Sequence, residues 1–260
     1  MSTTMITILD NELDRLEHSY STPNLLRRMP TGLLGWDLLT RGLNRGGLHV
    51  LTGPPGCGLS SLALTIATNL VTLSREPALF VTELSDGQIA RRAWASRSLV
   101  PIDNISSGNL TEDHWSAIAR ATKDLAVSHL RVQHPAADPG GLIELLQADL
   151  VATPAALLVL DDLPANDPET LHDLAHQHDV AVLVVGSQTV LQSGDFEHVA
   201  DSITVVEPQA QPATTTRLAT ITVGHHRFGA TGEFRAAFLE ECLAWVDVFD
   251  TDTPHFGAAV

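Results

Sequence analysis

The sequence predicts an α/β fold, with a mostly parallel sheet, helices on both faces and a C-terminal antiparallel extension. Three observations predict it. Between residues 48 and 186 short, continuous apolar runs alternate with helical patterns, the mark of parallel strands covered on both faces. Beyond residue 200 the helical patterns stop, and alternating segments separated by turns take over, which reads as antiparallel sheet. The first apolar run, LHVLT, leads straight into a glycine-rich turn that opens a helical pattern.

In chain order, residues 6 to 18 (ITILDNELDRLEH) place Ile6, Leu9, Leu13 and Leu16 three, four and three apart, one apolar stripe on a helix with acids opposite. Nothing nearby in sequence covers that stripe, so it is expected to dock on its own domain or on a neighbouring subunit. Residues 21 to 30, STPNLLRRMP, carry prolines near both ends and read as a linker. The core then runs as strand 48 to 52, helix 59 to 73, strand 78 to 82, helix 86 to 98 and helix 111 to 126. Strand 129 to 133, helix 140 to 151, strand 156 to 160, helix 168 to 177 and strand 180 to 186 complete it. SITVVEP, TRLATITVGHH, GEFRAAFL and LAWVDVF are the late strands, and PQAQPATTT is a polar loop or hairpin tip. The expected organisation is an N-terminal helix and linker over 1 to 30, one core domain over 31 to 250, and a disordered tail over 251 to 260.

The chain has 260 residues, 44% of them hydrophobic, enough for one large domain. Its two cysteines, Cys57 and Cys242, stand in no metal-binding spacing and suggest no disulfide framework. No signal peptide is recognisable and no apolar run approaches the roughly 18 residues of a membrane span, so a cytoplasmic location is expected. Thirty-one acidic against 15 basic residues give a formal charge of −16, which repels polyanions. The nearest approach to a basic cluster is Arg91, Arg92 and Arg97 on one predicted helix, read first as a solvated face or subunit contact.

Residues 53 to 61 read GPPGCGLSS, a phosphate-binding loop with one departure: Leu59 stands where G-x-x-x-x-G-K-[ST] requires lysine. Gly53, Gly56 and Gly58 let the backbone turn its N–H groups inward as an anion nest at a helix start, with Pro54, Pro55 and Cys57 completing the turn. Ser60 would place its hydroxyl on a Mg²⁺ ion, and Ser61 follows as a substitute if the register slips by one. The lysine ordinarily reaches the β- and γ-phosphates, and losing that contact costs about 1.5–3 kcal/mol in the ground state. Catalysis is expected to suffer more than binding, because such contacts stabilise charge on the transferring group. The plainer alternative is a Gly/Pro-rich strand-to-helix turn with no ligand.

Acids converge on this loop, since ligands in open α/β sheets sit at the carboxyl ends of strands. The run ALFVT ends in Glu83, and ALLVL ends in Asp161 and Asp162. Asp161 would hold Mg²⁺ through a water, and Glu83 would orient or deprotonate an attacking water; both could instead cap the segment that follows their strand. VAVLVVG ends in Ser187 and Gln188; Gln188 is a candidate γ-phosphate sensor or a simple turn residue. Arg227, in the turn HHRFGATG, is one of few cations beyond residue 140. On a hairpin tip it could act as an arginine finger toward an adjacent subunit, or simply confer solubility.

Assembled, these segments resemble the DnaB family of hexameric replicative helicases, in its RecA-like motor domain and preceding linker helix, over residues 5 to 249. TGLLGWDLLTRGL (31 to 43) is similar to the family's lead-in segment, and FVTELSDGQIARR (80 to 92) to its strand, catalytic glutamate and helix, with Glu83 and Arg92 at matching places. GNLTEDHWSAI resembles the next helix start, LLVLDDL the metal-binding aspartate strand, GSQ the sensor strand, and GHHRFGATGEF the finger loop that carries Arg227. The resemblance implies a RecA-like nucleotide-binding core, ATP and Mg²⁺ as cofactors, and a homo-oligomer, hexameric through the N-terminal helix. It also exposes departures. Leu59 replaces the loop lysine and His225 the lysine near the finger, the family's collar domain that meets primase is expected to be absent, and the loops after Asp161 and Gln188 look trimmed and acidic. The expected behaviour is a DnaB-like ATP-binding protein with hydrolysis and DNA translocation weakened or lost. An active ATP-dependent DNA helicase and a KaiC- or RadA-like regulator are the alternatives.

Overall fold

The computed structural model describes residues 4–7, 9–10, 13–14, 28–135, 141–163, 167–187, 196–209 and 215–248. Gln188, most of the 21 to 30 linker, the tail and the two segments read as trimmed loops (164–166 and 188–195) lie outside the described residues.

A nine-stranded sheet organises the chain. Its strands are β3 (Leu48–Gly53), β4 (Ala78–Thr82), β5 (Leu130–Gln133), β6 (Leu157–Asp161), β7 (Ala181–Ser187), β8 (Ser202–Pro208), β9 (Thr216–His226), β10 (Gly232–Leu239) and β11 (Ala244–Asp247), in the order β11-β10-β9-β8-β3-β7-β6-β4-β5. From β8 to β5 every pairing is parallel, and β9, β10 and β11 add antiparallel strands at one side. This is the architecture that the change of pattern after residue 200 predicts.

Strand periodicity divides the core between the two faces. Ala181, Leu183 and Val185 of β7 join one apolar cluster, and Val182 and Val184 join the other. The first cluster packs under α2 (Leu59–Asn69) and α3 (Asp86–Ser98); the second packs under α6 (Leu142–Ala152), α7 (Pro168–His178) and α8 (Phe196–Val199). The remaining helices are α1 (Leu34–Thr40), α4 (Ile102–Ser107) and α5 (Glu112–Ala126). α2 ends at Asn69 in a π-helical turn over Leu70–Ser74, closed by Arg75 in the left-handed region (φ 60°).

Three features refine the sequence reading. Arg28 and Met29, assigned to the linker, form β1 (Arg28–Met29), which pairs with β2 (Leu43–Asn44) and sinks Met29 into the core. α4 has no counterpart in the sequence reading: it is a six-residue helix between Pro101 and Gly108 that buries none of its side chains. In the lead-in segment, Asp37 of α1 folds back to accept hydrogen bonds from Thr31 N (2.9 Å), Thr31 Oγ1 (2.8 Å) and Gly32 N (3.0 Å), fixing how the chain enters the domain. Burial raises the Asp37 carboxyl above its ordinary range despite those hydrogen bonds, and nearby Asp247 adds to the rise. The N-terminal residues 5–7, 9–10 and 13–14 are helical, and Met5, Ile6, Leu9 and Leu13 are exposed. Among the described residues no helix is long and apolar enough to cross a membrane.

Candidate phosphate-binding site

Every described carboxyl-end residue singled out in the sequence falls on one edge of the parallel sheet. β3 and β7 bring Gly53 level with Ser187, and β4 and β6 bring Thr82 level with Asp161. Glu83 follows Thr82 directly and is exposed. The loop leaving β3 turns through Gly56 (φ 78°) and Gly58 (φ 94°), both in the left-handed region that a side chain resists, and α2 begins at Leu59. A Cβ at Gly56 would meet nothing within 4 Å, so the apex of the loop is open. A Cβ at Gly53 would lie 2.6 Å from the Val206 carbonyl oxygen, which explains why the first glycine admits no substitute.

The loop is held from beneath by the antiparallel extension. Phe238 of β10 lies where a Gly58 Cβ would come within 3.0 Å of its ring, and stacks on Trp245 of β11 with centroids 5.1 Å apart. Trp245 Nε1 donates to the Gly58 carbonyl at 3.0 Å, and Arg217 Nη1 of β9 donates to the Gly56 carbonyl at 2.9 Å. Arg217 also forms an ion pair with Glu240. Position 59 is filled in an apolar way: Leu59 is partly buried and packs against the core cluster beneath α2.

Asp161, 2% exposed, is the polar centre of the edge. Its Oδ2 accepts a hydrogen bond from Thr82 Oγ1 at 3.1 Å, whereas Oδ1 is buried without a hydrogen-bond partner of good geometry. Burial pushes the carboxyl above its usual range; the hydroxyls of Ser60 and Thr82 oppose that rise, Asp162 adds to it, and Arg92 opposes it. Ser60, Asp161 and Arg92 therefore lie close together, Ser60 and Asp161 at the sheet edge where the strand ends converge and Arg92 on α3. The three arginines of α3 are not a simple solvated face. Each is only half exposed, Arg97 donates to Asn69 Oδ1 at 3.1 Å, and Arg92 acts on Asp161. A buried carboxylate oxygen without a partner, next to a serine hydroxyl at the start of a helix, is the donor set that a hard divalent cation takes, so the residues present fit magnesium.

Arg227 lies elsewhere. β3 and β8 pair His49 with Ser202, and β8 and β9 pair Ser202 with His226, so the β9–β10 turn sits at the amino end of β3. Four residues of strand separate His49 from Gly53, a distance of about 13 Å. Within one chain Arg227 does not meet the loop. Its Nη2 donates to the His198 carbonyl at 3.2 Å and its Nη1 lies 3.3 Å from Asp201 Oδ1. Asp201 is buried and also caps Leu48 N at 3.0 Å.

Sequence reasoning missed Arg217, Trp245 and His134. His134 Nδ1 lies 3.1 Å from the Thr82 carbonyl and its Nε2 lies 2.9 Å from Asp86 Oδ1, beside Glu83. The Asp86 carboxylate holds the His134 imidazole above its ordinary pKa. No spacing motif marks these residues; the one available signal for Arg217 was its rarity as a cation in an acidic C-terminal half.

Comparison with known proteins agrees with the geometry. Residues 28–144 match the family described as DnaB-like helicase C terminal domain. The replicative DNA helicase DnaC of Bacillus subtilis is 28% identical over 126 residues, covering 48% of this chain and 28% of that protein. The matched region thus spans only about a quarter of such a relative's length. Among solved structures, a DnaB-like replicative helicase superposes with a TM-score of 0.74 at 17% identity, covering 85% of this chain and 63% of that one. A KaiC-like protein from Pyrococcus horikoshii superposes with a TM-score of 0.63 at 16% identity, covering 86% and 99% of the two chains. At such identities the superpositions establish the fold alone.

Proposed function

We propose, for a chain whose residues 28–144 match the DnaB-like helicase C terminal domain family, that it is a nucleotide-binding domain in which turnover and DNA translocation are weakened or lost. The observation that carries this reading is the pairing of an open glycine loop with a buried, incompletely satisfied Asp161 facing Ser60, while Leu59, partly buried, packs against the core. Ser60 and Asp161 are the residues that would hold magnesium, whose chemistry there is to neutralise charge on the outer phosphates of ATP. The backbone from Gly56 to Ser61 supplies the N–H nest, and Glu83 stands exposed at the mouth to orient water. Binding survives on nest, helix dipole and metal side chains; transfer is slow for want of the lysine charge.

DNA is disfavoured as a partner, because affinity for it comes mainly from phosphate neutralisation and this chain carries a formal −16. The exposed apolar residues Met5, Ile6, Leu9 and Leu13 supply a contact for a second copy, consistent with a homo-oligomer or ring. Arg227, at the sheet edge away from its own loop, could serve only a neighbouring copy's nucleotide, after release from Asp201.

An active motor is the second reading, favoured by Glu83 beside the Thr82–Asp161 pair. An ATPase assay with and without single-stranded DNA separates the two. The proposed reading expects turnover near background that DNA does not stimulate and that Glu83→Gln leaves at that level. Robust DNA-stimulated hydrolysis, abolished by Glu83→Gln, would establish the motor instead.

A further inference from the structure

We infer that Arg217 supplies the phosphate-binding cation that the loop itself lacks; this rests on the nucleotide-binding reading above and adds the residue that completes it. The stretch 53 to 61 contains no charged residue, and Leu59 is partly buried against the core. A guanidinium reaches the same loop from the far side of the chain sequence. Arg217 enters on β9, opposite Phe238 of β10, the residue that underlies Gly58. From there Nη1 grips the Gly56 carbonyl at 2.9 Å, and Nη2 pairs with Glu240 at the rim, with both side chains 35% exposed.

Two circumstances point this cation toward a ligand and not only toward the backbone. The strands that lead into the loop carry buried polar atoms: Thr52 Oγ1 on β3 has no hydrogen-bond partner, and Asp161 Oδ1 on β6 has none of good geometry. The guanidinium is also anchored at Gly56, where the loop is open. An arginine has five donors in a planar fork suited to phosphate oxygens, and the two contacts named leave donors over. Burial raises the Cys57 thiol above its ordinary range; backbone hydrogen bonds at Leu59 and Cys57 oppose that rise, and the Arg217 charge opposes it least. Glu240 is then the group with which phosphate competes for Arg217.

Calorimetric titration of the full chain with Mg·ATP tests this, with thermal melts of each ligand-free variant to verify folding. Arg217→Ala is expected to weaken binding by about tenfold or more, and Glu240→Gln to tighten it by about threefold. Leu59→Lys placed in the Arg217→Ala background is expected to restore most of the loss, because it returns a cation from the other side of the same loop. Arg217→Ala is also expected to cost severalfold less in the Leu59→Lys chain than in the parent, whereas a residue that merely braced the backbone would cost the same in both. Arg217→Ala binding with the affinity of the parent chain would overturn the inference, as would a loss that Leu59→Lys leaves uncorrected. A parent chain that gives no heat at all would instead remove the nucleotide-binding reading on which the inference rests.

Discussion

Phe238→Ala is expected to lower the free energy of unfolding by about 3–4 kcal/mol, the usual cost of emptying a buried aromatic site. Phe238 is 5% exposed, lies in the main apolar cluster and stacks on Trp245, so little can collapse into the space it leaves. The same ring fills the place that a Gly58 side chain would need, and its partner Trp245 holds the Gly58 carbonyl. The loss should therefore exceed stability alone. Urea unfolding gives the stability term, and Mg·ATP affinity at a temperature where the variant is still folded should fall as well. Phe238→Leu, which keeps most of the volume, is expected to retain more of both. Unfolding free energies within about 1 kcal/mol of the parent for Phe238→Ala would show that the extension does not support the loop.

Acidification from pH 6.5 to 4 is expected to cost about 3 kcal/mol of stability through His49 alone. His49 is buried at the amino end of β3, with Nδ1 2.8 Å from Ser202 Oγ and Nε2 3.1 Å from the Asn44 carbonyl. Burial brings its pKa down from 6.5 to about 4, more than the hydrogen bond to Asn44 and the Asp201 charge can restore. The folded state therefore binds fewer protons than the unfolded state between those values. The stabilisation is whole above pH 6.5 and is lost as pH falls to about 4. His226 is shifted the same way, mainly by burial, and reinforces the trend. Urea unfolding of the parent and of His49→Leu at pH 7, 6 and 5 should show a shallower pH slope in the variant, by close to one proton. Equal slopes would show that His49 titrates normally in the folded chain.

How much of this was legible in the sequence depends on the range of the interaction. β3, β4, β6 and β7 were legible because strands buried on both faces must be continuous apolar runs, and their carboxyl-end acids were legible because parallel strands end on one edge. Gly53, Gly56 and Gly58 announced the loop because no other residue type tolerates its backbone or its crowding. α4 escaped because a six-residue helix that buries nothing leaves no apolar period. Arg217 and Trp245 escaped because their contacts with the loop span 161 and 187 residues. The tethering of Arg227 to Asp201 escaped for a similar reason: Asp201 is an unremarkable acid until the sheet places it under the turn. Position 59 shows the reverse. The sequence revealed a missing charge, and the fold shows that its place is taken by core packing.

This loop is expected to bind nucleotide without its lysine. Calorimetric titration of the chain with Mg·ATP, beside a folded Gly58→Asp control, tests it most directly. Gly58 is at φ 94° with Phe238 beneath it, so an aspartate there both strains the loop and opposes phosphate by charge. Saturable binding at one site per chain is expected, absent in the Gly58→Asp protein. No heat in the parent chain, or the same heat in both proteins, would contradict it.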